Sequence, residues 1–349
     1  MSNVDKYLEL ADRPNTKRSY ESAVRHFEED WRGLLPTSPE KVADYLATYA
    51  PVQAVSTLQT RLAGLSRWHL DHGFQDPTKA QLVRQVMRGI RAAHGAPQRQ
   101  ARPVEFELIE RLSDWIDKAL DQISRDESGN AVDRLRLLRD RAMLLLGFWR
   151  GFRSDELTRL RFEHVEVELG VGMTCFLPRS KGDRKSTGRE YPCPALSRLC
   201  PVTAFCEWRD ASGLVEGPVF RAIDRWGHIS DAQMAPSTIV PWLRGLLKAA
   251  GVEDTQAYSS HSLRRGFADW ARVSGWDLRD LMEYVGWRDM SSALRYLDKR
   301  EDLADRFERG LERQRHEKPT RNSDGPPQSG DPAKPRRRTA QVLQLPIRK

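Results

Sequence analysis

Along the first 94 residues, apolar positions recur at the spacing of a helix rather than the alternation of a strand. Tyr20, Ala23, Val24, Phe27 and Trp31 form one stripe, with Thr16 as the expected N-cap. Ser38-Pro39-Glu40 reads as an N-cap followed by proline at the first helical position, leading into Val42, Tyr45, Leu46 and Tyr49. A third stripe, Leu58, Leu62, Leu65 and Trp68, predicts a helix from Ser56. A fourth, opened by Asp76-Pro77, carries Leu82, Val86 and Ile90. Four short helices, each with one apolar side, predict a small bundle.

The pattern then breaks. Residues 95–104, with Gly95, Pro97 and Pro103, read as an extended linker. A second domain is expected over 105–315. It opens with helices from Glu107 to Ile123 and from Asp133 to Trp149. The segments 164–169, 172–178 and 189–194 alternate as strands, and Gly170 and Gly172 punctuate them, predicting a three-stranded meander. Helices are expected to resume after Pro201 and to run to about residue 312. Residues 316–349 are rich in proline, glycine and charge and read as a disordered basic tail. The expected fold class is mainly α with a small antiparallel β-sheet, in two domains.

Composition narrows the function classes. No apolar run reaches the roughly 20 residues that cross a bilayer, and mean hydropathy is −0.65. The amino-terminal sequence lacks the pattern of a signal peptide, so a cytoplasmic, nucleoid-associated protein without membrane partners is expected. Cys175, Cys193, Cys200 and Cys206 form no CxxC pair, and buried inert thiols are expected in preference to a disulfide framework or a zinc site. The net charge is +8 with pI near 9.4. From residue 318 onward, eight basic residues against Asp324 and Asp331 supply +6 of it, so the body is nearly neutral. Affinity for a polyanion must therefore come from local patches. Arg84, Arg88, Arg91, Arg99 and Arg102 fall in a stretch without acids, the first three at helical spacing, and read as a phosphate-contacting seam. Arg225-Trp226-Gly227-His228 reads as a second nucleic-acid contact, a hairpin, in preference to a turn packed by Trp226.

Candidate chemistry lies in two stretches. In GFRSDELTRLRFEHVEV, Arg153 stands three residues before Glu156 at an expected helix start. In HSLRRGFADWARVSGWDLRDLMEYVGWRDMSSALRYLDK, His261 and Arg264 are spaced to share a helix face, and Trp287 and Tyr296 follow. Taken singly, these are an i,i+3 ion pair, a helix histidine, a core tryptophan and a surface tyrosine. His164 and His228 read as structural or exposed.

Together, in this order and spacing, they resemble the tyrosine recombinase (phage integrase) family. Arg153 and Glu156 match the family's Arg–x–x–Glu, Lys181 its hairpin lysine, and His261 and Arg264 its His–x–x–Arg. Trp287 matches the less common tryptophan variant of the next position, nine residues before the tyrosine, Tyr296. The resemblance implies an N-terminal helical core-binding (SAM-like) domain and a mixed α+β catalytic domain forming a C-shaped clamp on DNA. It also implies a 3′-phosphotyrosine intermediate formed by Tyr296, with no cofactor and no metal. Arg153 and Arg264 would grip the non-bridging phosphate oxygens with planar donor forks, assisted by His261 and Trp287. Lys181 would protonate the leaving 5′ oxygen, with Lys185 in the same loop as a competitor. Glu156 would orient Arg153.

Partners follow from the same likeness: double-stranded DNA with an inverted-repeat core site, a homotetramer on paired sites exchanging strands through a Holliday junction, and accessory DNA-bending or directionality proteins. Residues 300–316 read as an amphipathic helix with Leu303, Phe307 and Leu311 on one side, packing on a neighbouring protomer or in cis. Two other readings remain open at this point. One is a type IB topoisomerase-like relaxing enzyme, the other a DNA-binding accessory protein that does not cut.

Overall fold

The computed structural model describes residues 14–96, 100–125, 130–178 and 188–287, together with positions 290 and 293. Arg99, Lys181, Lys185, Tyr296, the segment 300–316 and the tail 316–349 lie outside the described residues. The chain divides into two compact units, Met1–Gln100 and Ala101–Lys349.

In the first unit, α1 (Pro14–Arg25) continues into a π-helical turn, His26–Asp30. Thr16 is therefore inside the helix and not its cap. α2 (Pro39–Tyr49) starts as expected, with the Ser38 side chain accepting from Lys41 N and proline in the first turn. α3 (Val55–Asp71) begins one residue before Ser56. Asp76 caps a short 3-10 turn, Pro77–Lys79, and not the fourth helix: its carboxylate accepts from Thr78 N, Thr78 Oγ1 and Ser66 Oγ. α4 (Gln81–His94) follows.

The core of this unit gathers Phe27, Val42, Tyr45, Leu46, Leu58, Leu65, Val83, Met87 and Ile90. Phe27, Trp31 and Tyr45 interlock with ring centroids 5.0–5.5 Å apart, mostly edge to face. His69 is fully buried: Nε2 accepts from Thr37 N at 3.0 Å, which leaves the proton on Nδ1 for Leu65 O at 2.7 Å. On α4 the inward stripe is Val83, Met87 and Ile90, one step from the expected Leu82, Val86 and Ile90; Leu82 is exposed. Both stripes fit a helical period, and packing against α2 and α3 selects the first. The selected stripe turns Arg84, Arg88 and Arg91 to solvent.

In the second unit, α5 (Phe106–Arg125) and α6 (Ala131–Trp149) each extend past the expected bounds. The Asn130 side chain caps α6 by accepting from Val132 N at 2.9 Å. Residues 101–104, expected as the end of the linker, belong to this unit. Arg102 N donates to Ala257 O, Val104 N donates to Ser262 O, and the Val104 side chain is fully buried.

α7 (Ser154–Thr158) and a 3-10 turn at Phe162–His164 precede an antiparallel sheet of β1 (Val165–Glu168), β2 (Gly172–Leu177) and β3 (Arg189–Pro194), in that order. Met173 faces Cys193 and Cys175 faces Tyr191 across the β2–β3 ladder. These four and Leu177 pack into the core. Burial pushes the Cys175 thiol up to about 12 and raises Cys193 as well. All four cysteines are free. Among the described residues no group of His, Cys, Asp and Glu could hold a metal, and no helix is long and apolar enough to cross a membrane.

Helices resume at Pro201, and the hairpin expected around Arg225–His228 lies between two of them. α8 (Pro201–Ser212) is followed by a hairpin, β4 (Arg221–Ile223) and β5 (Ile229–Gln233), before α9 (Ile239–Ala249), α10 (Ser262–Val273) and α11 (Leu278–Val285). Asp224 shapes the hairpin turn by accepting from Trp226 N and His228 N. Trp226 is not the packed centre of a turn: it is 65% exposed, with the Arg225 guanidinium 3.9 Å from its ring centroid.

Gly266 lets α10 pass against the backbone at Val104. A Cβ there would lie 1.8 Å from Val104 O and 2.7 Å from Val104 C. Gly266→Ala should therefore force 101–104 off the helix and lower stability by about 1–3 kcal/mol. Thermal unfolding would show this as a midpoint drop of roughly 2 °C or more, and an unchanged midpoint would refute the close approach.

Candidate active site

The site begins where α6 runs out of apolar surface. Arg150 ends the helix, Gly151 turns the chain at φ +56°, Phe152 is buried, and Arg153 is the N-cap of α7. Arg153 has no side-chain oxygen with which to cap. Glu156, in the first turn, does so in reverse: its Oε2 accepts Arg153 N at 2.9 Å, and Oε1 accepts Arg153 Nη1 at 2.6 Å. A five-residue helix thus holds the Arg153 guanidinium by one carboxylate, which is itself only 2% exposed.

The same carboxylate faces a second arginine. Arg264 Nη1, on α10, is 3.7 Å from Glu156 Oε2. Arg264 is 1% exposed; Nη1 donates to Gly151 O at 2.6 Å and Nη2 to Val285 O at 3.1 Å. Its guanidinium carbon lies 5.3 Å from the centroid of the Trp287 ring, which is also buried. The fold therefore gathers Arg153, Glu156, Arg264 and Trp287 from segments more than 100 residues apart.

His261 differs from expectation in detail. It is the N-cap of α10 and not a residue of its face, and it is exposed. Its backbone N–H donates to Ser259 Oγ at 3.2 Å, and the Ser262 hydroxyl accepts Ser259 N at 2.8 Å, fixing the turn that presents it. His164 is half-buried with its ring edge-on to Phe176, and His228 is exposed, with Nδ1 3.1 Å from Asp224 Oδ2. Arg102 is exposed and places its guanidinium 5.8 Å from the Tyr258 ring centroid.

Sequence reasoning missed Arg150 and Arg189. Arg150 is 1% exposed; Nη1 donates to Pro192 O at 3.1 Å, Nη2 to Tyr284 O at 2.6 Å, and the guanidinium lies 3.8 Å from the Tyr284 ring centroid. Burial pushes the Tyr284 phenol up to about 12, so the ring beneath the cation is neutral. Arg189 donates from Nη2 to Glu283 O. A signal for Arg150 was present: an arginine at the end of the wholly apolar run 142–149 has no solvent to reach.

Residues 130–302 match the family model described as the phage integrase family. The chain is 29% identical over 301 residues to the integrase/recombinase XerD homolog of Selenomonas ruminantium, covering 83% of each. It is 28% identical over 283 residues to recombinase Cre of Escherichia phage P1, covering 76% of this chain and 77% of that one. Among solved structures, the fold is similar to that of the XerH site-specific recombinase bound to palindromic difH substrate in a post-cleavage complex. That match has a TM-score of 0.56 at 18% identity and covers 85% of this chain and 79% of the other.

Proposed function

Because the chain belongs to the phage integrase family of tyrosine recombinases, we propose that the site built by Arg153, Glu156, Arg264 and Trp287 binds a scissile DNA phosphate for cleavage by Tyr296. The observation that carries this reading is the convergence of two guanidinium groups on one buried carboxylate beside an indole. A phosphodiester repels nucleophiles, and its transition state spreads further charge over the non-bridging oxygens. Planar donor forks fixed in a water-poor site stabilise that charge without reorganising. Glu156 orients Arg153; His261 and the Trp287 indole N–H add hydrogen bonds to the phosphate.

In this mechanism Tyr296 Oη forms the bond to phosphorus as the bond to the 5′ oxygen breaks. Lys181, or Lys185 beside it, gives that oxygen its proton. The resulting 3′-phosphotyrosine keeps the phosphate activated, so attack by a partner strand's 5′ hydroxyl restores the DNA without an external energy source. The exposed Arg84, Arg88 and Arg91 stripe and Arg102 suit backbone phosphates, and Arg99 completes the seam in sequence. The Arg225–Trp226 stack on its hairpin has the mixed charge and ring surface that suits a nucleic acid. Two protomers on an inverted repeat, pairing into a tetramer with accessory DNA-bending or directionality proteins, complete the reaction, which takes place on the nucleoid.

The test takes the full chain and an inverted-repeat duplex that the protein itself selects from a random-sequence pool. Nicked beside the cleavage position, this duplex should trap a denaturation-resistant protein–DNA adduct in the presence of a chelator and without ATP. Two intact sites should then yield exchanged products. Relaxation of supercoils without exchange would indicate a topoisomerase, and tight salt-sensitive binding with no adduct a protein that does not cut.

A further inference from the structure

The last four carbonyls of any α-helix lack partners within the helix. In α11 every one of the four is accounted for. Met282 O accepts the N–H groups of Gly286, in the left-handed region at φ +80°, and of Trp287. The remaining three are taken by guanidinium groups from three different elements: Glu283 O by Arg189 of β3, Tyr284 O by Arg150 at the end of α6, and Val285 O by Arg264 of α10. Three cations at the negative end of an eight-residue helix also match its dipole.

Two of these arginines lie outside the phosphate site, and each joins the helix end to something else. Arg150 holds Tyr284 O with one nitrogen and Pro192 O of β3 with another, and it begins the turn that presents Arg153. Arg189 packs so close to the turn after α11 that a Cβ on Gly286 would lie 2.9 Å from its Nη1. Trp287 is the next residue. Neither Arg150 nor Arg189 makes an ion pair with a carboxylate among the described residues, so their hydrogen bonding is directed at the backbone.

We propose that Arg150 and Arg189 are positioning residues for DNA cleavage: by holding the terminal carbonyls of α11, they set Trp287 against Arg264 and fix both relative to the Arg153 turn. The inference rests on the recombinase reading and deepens it. Lysine cannot replace Arg150, because one ammonium at the end of a flexible stem does not span carbonyls on two elements while stacking on a ring. A lysine would leave α11 in place on average but loosen its end, and a displacement of about 1 Å at a reacting centre costs on the order of 100-fold in rate.

The test uses the full chain and the self-selected nicked duplex described above, with the single-turnover rate of adduct formation as the readout. Arg150→Lys should slow the adduct by roughly 10- to 100-fold. Half-exposed Arg189→Gln, which carries less folding risk, should slow it by about 3- to 10-fold. Both should bind the duplex within about two-fold of wild type. The decisive measurement is a double-mutant cycle. In a Trp287→Phe background, Arg150→Lys should cost less than about three-fold further, because the group it positions is gone. An equal cost in both backgrounds, or a rate loss that tracks the fraction unfolded at the assay temperature, would make these arginines merely structural and overturn the inference. So would wild-type rates in both variants, with the recombinase reading left standing. No adduct from the wild-type chain would instead remove the recombinase reading and this inference with it.

Discussion

Replacing Tyr296 with phenylalanine should abolish the covalent adduct on the nicked duplex, by at least about 10⁴-fold, the scale of loss when a nucleophile is removed from a machinery that acts as a unit. Phenylalanine differs by one oxygen, so the ring and its packing volume are kept. DNA affinity, which comes from many backbone phosphate contacts, should stay within about two-fold. Denaturing electrophoresis of labelled DNA reads the adduct, and a gel shift at two salt concentrations reads the affinity. An adduct of wild-type yield in the Tyr296→Phe protein would place the nucleophile elsewhere. No other tyrosine of this chain stands in the sequence context that carries the family likeness.

Arg264→Lys carries the second largest expected effect. Arg264 spends two donors on Gly151 O and Val285 O, which fixes the plane and orientation of its five-donor fork. A lysine offers three donors from one nitrogen and cannot satisfy carbonyls on two segments while bridging non-bridging oxygens. Loss of a charge-stabilising arginine of this kind costs about 10³- to 10⁵-fold in phosphoryl transfer, and the single-turnover adduct rate should fall by that order. The thermal midpoint separates chemistry from folding. A rate loss confined to a destabilised protein would contradict the assignment, and so would a rate within ten-fold of wild type in a folded one.

Much of this architecture was legible because two signals are local. Helical periodicity and the Ser38 cap located α2, periodicity located most of α6, and alternation located the sheet; of the ordered set, the fold brings Arg153, Glu156, Arg264 and Trp287 together. Where the reading slipped, a nonlocal contact decided the outcome. On α4, Leu82 and Val83 are equally apolar, and only the packing of the first unit buries Val83. Thr16 and Asp76 are both good caps by composition, yet the first is overrun by a helix starting at Pro14 and the second serves a 3-10 turn. Val104 sits in a stretch that looks like a tether, and only the approach of Gly266 converts it into core. For Arg150 the apolar run before it signals burial but not its partners, which are carbonyls of residues 192 and 284, and a backbone oxygen carries no sequence signature.

That choice of partner has an electrostatic consequence. A carbonyl dipole accepts a hydrogen bond but cancels no charge. Around the site, Arg150, Arg153, Arg189 and Arg264 bring four positive charges, and Glu156, held between two of them, brings one negative. Among these five described residues the excess is three. Arg150 and Arg264 are buried, and their share of this excess is felt more strongly than the same charges in water. A positive potential at this cluster is thus established when the chain folds, and on the reading proposed above a phosphate would meet dipoles already locked in place.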